Sequence, residues 1–146
     1  MKLLLALMFL LATADIARSR IAQVWVGSLE PTSGGQAQVR IGLGAFAILD
    51  PPYGAYLLGH FRCISQTKLC KNRRGRFNGK FENNPETPPT FTARVLFRNS
   101  KFCDFTGASL QFINPVKPDI GTRVEGTYNC HANVLSVGAF TLIRKR

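Results

Sequence analysis

Apolar and polar residues alternate with a period of two over most of this chain, the signature of strands with one face turned to a core. Val24 and Val26 oppose Trp25, and Val39, Ile41 and Leu43 alternate with Gln38, Arg40 and Gly42. Phe61 and Cys63, then Phe77, Gly79 and Phe81, occupy one side of two neighbouring segments, with His60, Arg62, Arg76, Asn78 and Lys80 on the other. Phe91, Ala93, Val95 and Phe97 form a further inward set with Arg94 and Arg98 outward, followed by Cys103, Phe105 and Gly107, then Leu110 and Phe112, and finally Phe140 and Leu142. After the first residues no amphipathic helix of ten or more residues is present. The expected fold class is all-β: about eight short strands in an antiparallel β-sandwich or a small β-barrel, stabilised by disulfides.

One short pattern occurs twice, as Gly59-His60-Phe61-Arg62-Cys63 and Gly126-Thr127-Tyr128-Asn129-Cys130. Each copy is followed by a returning Gly-x-Phe, at Gly75 and Gly138, which predicts two hairpins. The aromatic and the cysteine of each copy face inward, so only His60, Arg62, Thr127 and Asn129 are left for solvent.

Proline, glycine and asparagine divide the strands. The stretches Glu30–Gly35, Glu82–Pro89 and Asn114–Asp119 read as loops, and Asn99-Ser100 as a turn. A glycine bulge is expected at Gly42 or Gly44, where the segment from Gly44 to Leu49 becomes apolar on both sides. The tetrapeptide Asp50-Pro51-Pro52-Tyr53 resembles the catalytic motif of amino-group DNA methyltransferases, in which the acid and the aromatic engage a flipped base. That family also requires a glycine-rich strand-turn-helix and a doubly wound sheet, and neither pattern is present, so the tetrapeptide reads as a proline-fixed turn.

The first residues place the chain in a compartment. Lys2, the apolar run from Leu3 to Leu11 and Ala12-Thr13-Ala14 fit a signal peptide spanning 1–14 and cleaved near Ala14. Residues 15–146 then form a single exported all-β domain, secreted to the periplasm or the extracellular space, and no later stretch reaches membrane-spanning length. Export makes two disulfides the first reading of Cys63, Cys70, Cys103 and Cys130, preferentially Cys63 with Cys70 and Cys103 with Cys130; Cys63 with Cys130 is the alternative. The cysteine gaps are irregular for zinc, and nothing in the sequence calls for a metal or another cofactor.

Charge narrows the function classes. There are 19 Lys and Arg against 8 Asp and Glu, a formal net charge of +11. Such an excess favours an anionic macromolecule, a membrane surface or an acidic protein as partner. The densest positive stretch lies around the first hairpin, in Arg62, Lys71, Arg73, Arg74, Arg76 and Lys80, extended by Arg94 and Arg98 if the strands are neighbours. Solubilising charge at a hairpin tip is the alternative reading. Catalysis finds little footing: there is no nucleophile elbow, and paired cysteines leave no free thiol. The enzyme reading with chemical content is a secreted ribonuclease, with His60 and His131 as acid and base and Arg62 or Arg76 stabilising the phosphorane. The preferred reading is a non-catalytic binding module. The third is an inhibitor of an exported enzyme. The sequence does not fix the oligomeric state.

Overall fold

A computed structural model describes residues 23–49, 54–65, 73–84, 87–109, 119–131 and 137–146. Eight strands run β1 (Gln23–Pro31), β2 (Ala37–Leu49), β3 (Gly54–Cys63), β4 (Arg74–Asn84), β5 (Thr87–Leu96), β6 (Phe102–Ser109), β7 (Arg123–Cys130) and β8 (Val137–Arg144). Each pairs antiparallel with the next, and β1 also pairs with β8, closing an up-and-down barrel. Closure resolves the choice between sandwich and barrel. A period of two is common to both; the pairing of Trp25 with Arg144 through to Pro31 with Gly138 exists only in the barrel.

The inside is filled by the alternating residues. Trp25, Phe61, Phe77, Phe81, Phe91, Phe105, Tyr128 and Phe140 are all buried. Their rings form a continuous chain: Trp25 to Phe81 at 6.0 Å, Phe81 to Phe91 at 5.0 Å, Phe91 to Phe140 at 6.0 Å and Phe140 to Phe105 at 5.3 Å. Burying each such side chain contributes about 1.5–3 kcal/mol. Glycine and alanine sit between the rings on the same face, the large-and-small alternation that a narrow barrel needs. Gln23 is buried too, and its side-chain oxygen accepts a hydrogen bond from Trp25 Nε1 at 3.1 Å, giving the indole a partner inside the wall. An apolar void of about 10 Å³ lies among Trp25, Ile41, Leu57, Phe81, Val124 and Leu142. The described inward side chains therefore form a packed core. Its outer wall along β4 and β5 carries Arg74, Arg76, Lys80 and Arg94, the reverse polarity of a membrane-spanning barrel.

Several local expectations are met and one is corrected. The β2–β3 register slips between Leu43 and Ala45, which places the bulge at Gly44. Gly34 and Gly35 have φ of 94° and 87° in the β1–β2 turn, a conformation that suits glycine. The expected long loop from Glu82 to Pro89 is much shorter: β4 extends to Asn84, and Pro88 and Pro89 lie within β5. Those prolines sit in the first turn of pairing, beside the register slip between Glu82 and Asn84, where a missing N–H breaks few ladder bonds. The C-terminal residues are hydrogen-bonded too. Lys145 N donates to Val24 O at 2.8 Å and Val24 N donates to Arg146 O at 2.8 Å, so the end of the chain is fastened to β1. Leu110, Phe112, and the tetrapeptide from Asp50 to Tyr53 lie outside the described residues, though Leu49 pairs with Gly54 on either side of the latter.

The disulfide between Cys103 and Cys130 joins directly opposed residues of β6 and β7 and excludes a bridge from Cys63 to Cys130. Cys63 is disulfide-bonded as well, and Cys70 lies outside the described residues. Among the described residues no helix is long and apolar enough to cross a membrane.

Candidate basic face

In an up-and-down barrel the connections β1–β2, β3–β4, β5–β6 and β7–β8 all fall at one end. Cys63 and the Cys103–Cys130 bridge are at this end, and so is an excess of cations. Arg40 on β2 lies directly opposite Arg62 on β3, and Arg62 lies directly opposite Arg74 on β4. All three point outward and are exposed. Directly opposed residues have Cβ atoms about 4.5–5.5 Å apart, so three guanidinium groups stand in a row across three strands. In the next outward row His60 is opposite Arg76. Arg73 precedes β4 and its carbonyl accepts from Cys63 N at 2.9 Å. Arg98, in the short 3-10 turn Arg98–Ser100, and Lys101 after it add two more cations at this end.

None of these side chains is neutralised within the described residues, where the ion pairs join Lys80 to Glu82, Arg94 to Asp104, Arg123 to Glu125, and His131 to Asp104. Like charges placed opposite one another across a sheet cost stability. The row Arg40–Arg62–Arg74 is thus a local liability to the fold and, among the described residues, a concentration of uncompensated donors suited to oxyanions.

The structure divides the basic face expected from sequence. Arg62, Arg73, Arg74 and Arg76 gather, and Arg98 shares their end of the barrel. Lys71 lies outside the described residues. Lys80 and Arg94 are drawn away from the free charge. Lys80 pairs with Glu82 and lies 6.0 Å from the centre of the Tyr56 ring, and the Glu82 hydrogen bond raises its pKa despite partial desolvation. Arg94 makes a two-pronged contact with Asp104, at 2.7 Å from Nε and 3.0 Å from the second nitrogen, while lying 4.3 Å over the Phe102 ring. Arg40 was missed because its strand neighbours are not readable from local pattern; its outward position between Val39 and Ile41 was the available signal.

The two histidines are not brought together. His60 is on β3 and His131 follows β7, four strands apart in a ring of eight and hence on opposite sides of the barrel. One phosphate cannot reach both, which removes the acid–base pair of the ribonuclease reading. His131 instead stacks on Phe102 with ring centres 4.2 Å apart, its Nε2 3.7 Å from Asp104. Among the described residues no three His, Cys, Asp or Glu converge as a metal site would require.

The Asp104 carboxyl is held below the usual carboxylate range, first by the hydrogen bond from Arg94, against the opposing effect of desolvation. A carboxyl with a depressed folded-state pKa contributes stability above its unfolded value near 4 and loses it as pH falls through the folded value. Thermal unfolding of Asp104→Asn is accordingly expected to show a shallower loss of Tm than the parent between about pH 4 and pH 2; parallel acid limbs would contradict this account.

Comparison with family models, with curated proteins and with solved structures finds no match to this chain, so the face is interpreted from its own geometry.

Proposed function

We propose that the protein is an exported, non-catalytic binding module that engages an anionic partner through the end of its barrel carrying Arg40, Arg62, Arg74 and Arg76. The observation that carries this reading is the unneutralised row Arg40–Arg62–Arg74. A fold gains nothing from three opposed arginines, whereas a ligand that supplies the missing negative charge relieves their repulsion on binding. Export rests on the sequence of residues 1–14 and is checked by the N-terminus of the protein recovered outside the cell, which should be Asp15.

The test separates binding from folding. Arg62→Glu with Arg74→Glu is expected to weaken retention on an anionic matrix and to lower affinity for heparin at least tenfold at low salt. It should also flatten the dependence of log affinity on log salt, since fewer counterions are released. The single change Arg62→Glu sets a carboxylate between two arginines, and the fold should gain a few tenths to about 1 kcal/mol. Equal affinity of variant and parent for heparin, anionic vesicles and nucleic acid would remove the proposal.

A further inference from the structure

Next to the arginine row, on the outward side of β3 to β6, the wall is dished. The depression measures about 510 Å³ and is open to solvent along its length. Tyr56, Lys80, Thr92 and Thr106 cross it as one row of directly opposed residues, and Asn78, Arg94 and Asp104 as the next. Along β4 it begins at Asn78, one outward position beyond Arg76. From Arg74 through Arg76 and Asn78 to Lys80 the outward face is continuous for roughly 20 Å at about 3.3 Å per residue.

Its chemistry differs from that of the arginine row. The cations inside it are already matched, Lys80 by Glu82 and Arg94 by Asp104. The side chains of Asn78, Thr92 and Thr106 are exposed and make no hydrogen bond among the described residues. An amide and two hydroxyls both donate and accept, which matches a ligand that is dense in hydroxyl groups better than one that is only an acceptor. Tyr56 is 37% exposed and offers part of a ring face beside them.

Stacked nucleobases find less here. Binding of a single-stranded nucleic acid depends on a series of open aromatic faces. Phe102 is already engaged, its ring stacked with His131 at 4.2 Å and lying 4.3 Å from the Arg94 guanidinium. Among the described outward residues of β3 to β6, Tyr56 is the one other aromatic ring, too few for a series of stacked bases.

We infer that the anionic partner is an acidic polysaccharide whose chain lies along β4, its sulfate or carboxylate groups on Arg62, Arg74 and Arg76 and its neutral rings in the depression against Tyr56, Asn78 and Thr92. This rests on the anionic-partner reading above and adds the class of polymer. An open, shallow site of this kind gives modest affinity per repeat, and a long chain raises it by occupying several molecules.

The test uses four polyanionic probes with lengths chosen to give equal total charge: a heparin oligosaccharide for sulfate, a longer hyaluronan oligosaccharide for carboxylate, linear polyphosphate and oligothymidylate. Two uncharged changes are made in the depression, Tyr56→Ala and Asn78→Ala with Thr92→Val, and the unfolding midpoint of each is checked against the parent. The expected result is that at least one glycan binds more tightly than oligothymidylate, and that both variants lose about fivefold for that glycan while changing less than twofold for polyphosphate. Which glycan responds tells sulfate from carboxylate. Unchanged glycan affinity in both folded variants, or tighter binding of oligothymidylate than of either glycan, overturns the inference. If Arg62→Glu with Arg74→Glu still weakens every probe in that case, the basic face survives and only the polysaccharide is lost. If the parent binds none of the four, the anionic-partner reading fails with it.

Discussion

Gly126→Ala is expected to cost the fold about 3 to 5 kcal/mol, far more than one methyl group usually does. Gly126 is directly opposite Gly107, at a point where the backbones of β6 and β7 crowd together on the inner side. A Cβ at 126 would press on the Thr106 carbonyl oxygen and on Gly107 Cα, and one at Gly59 would press on the Gly42 carbonyl oxygen. Backbone atoms in a paired strand cannot swing aside, so the strands must flatten, and flattening works against closure of the barrel. Gly34→Ala is the control. Gly34 has φ of 94° with nothing within 4 Å of an added Cβ, so its change should cost only about 1 kcal/mol, the ordinary penalty of that backbone conformation. Urea unfolding of both variants decides the matter, and equal losses would show that crowding at Gly126 is not what selects glycine.

Replacing Cys103 and Cys130 together by alanine should lower stability by roughly 3 to 4 kcal/mol, as expected for a loop with the 27-residue separation between them. Cys103 is fully buried in the core, so lost sulfur packing adds to the loss of the cross-link. The bridge ties β6 to β7 at the basic end, and Cys63 is fixed there too, next to Arg62 and Arg73. Reduction of the intact protein should therefore reduce affinity for heparin as well as the unfolding midpoint, because cations held on a fixed frame lose less entropy on binding. A reduced protein that unfolds like the oxidised one would refute the structural part of this expectation. One that keeps full affinity while destabilised would refute the functional part.

The repeated Gly-x-aromatic-x-Cys stretch shows how far local pattern reaches. Its aromatics Phe61 and Tyr128 and its cysteines Cys63 and Cys103's partner Cys130 take the inward side, as alternation requires. The glycines have a further reason that no window of sequence contains, since the atoms they avoid belong to the neighbouring strand. Lys80 and Arg94 illustrate the same limit from the other side. Both are cations on the outward face, but Lys80 is two residues from Glu82 on its own strand, a signal that could have been used, whereas the Arg94 partner Asp104 comes from β6.

By itself the sequence determined the class of fold and most inward residues, because the two-residue period of a strand is a property of the local chain. It also determined the sign of the charge and the pairing of Cys103 with Cys130 as a first choice. Tertiary structure decided that β1 closes on β8, and through that register it decided which charges meet. Register is set by the whole sheet, and a shift along one strand would move Arg40 away from Arg62 and Arg62 away from Arg74 without changing any local pattern. The opposed arginines, the separation of His60 from His131 and the dish beside Tyr56 are all consequences of pairing between strands, and only the closed barrel contains them.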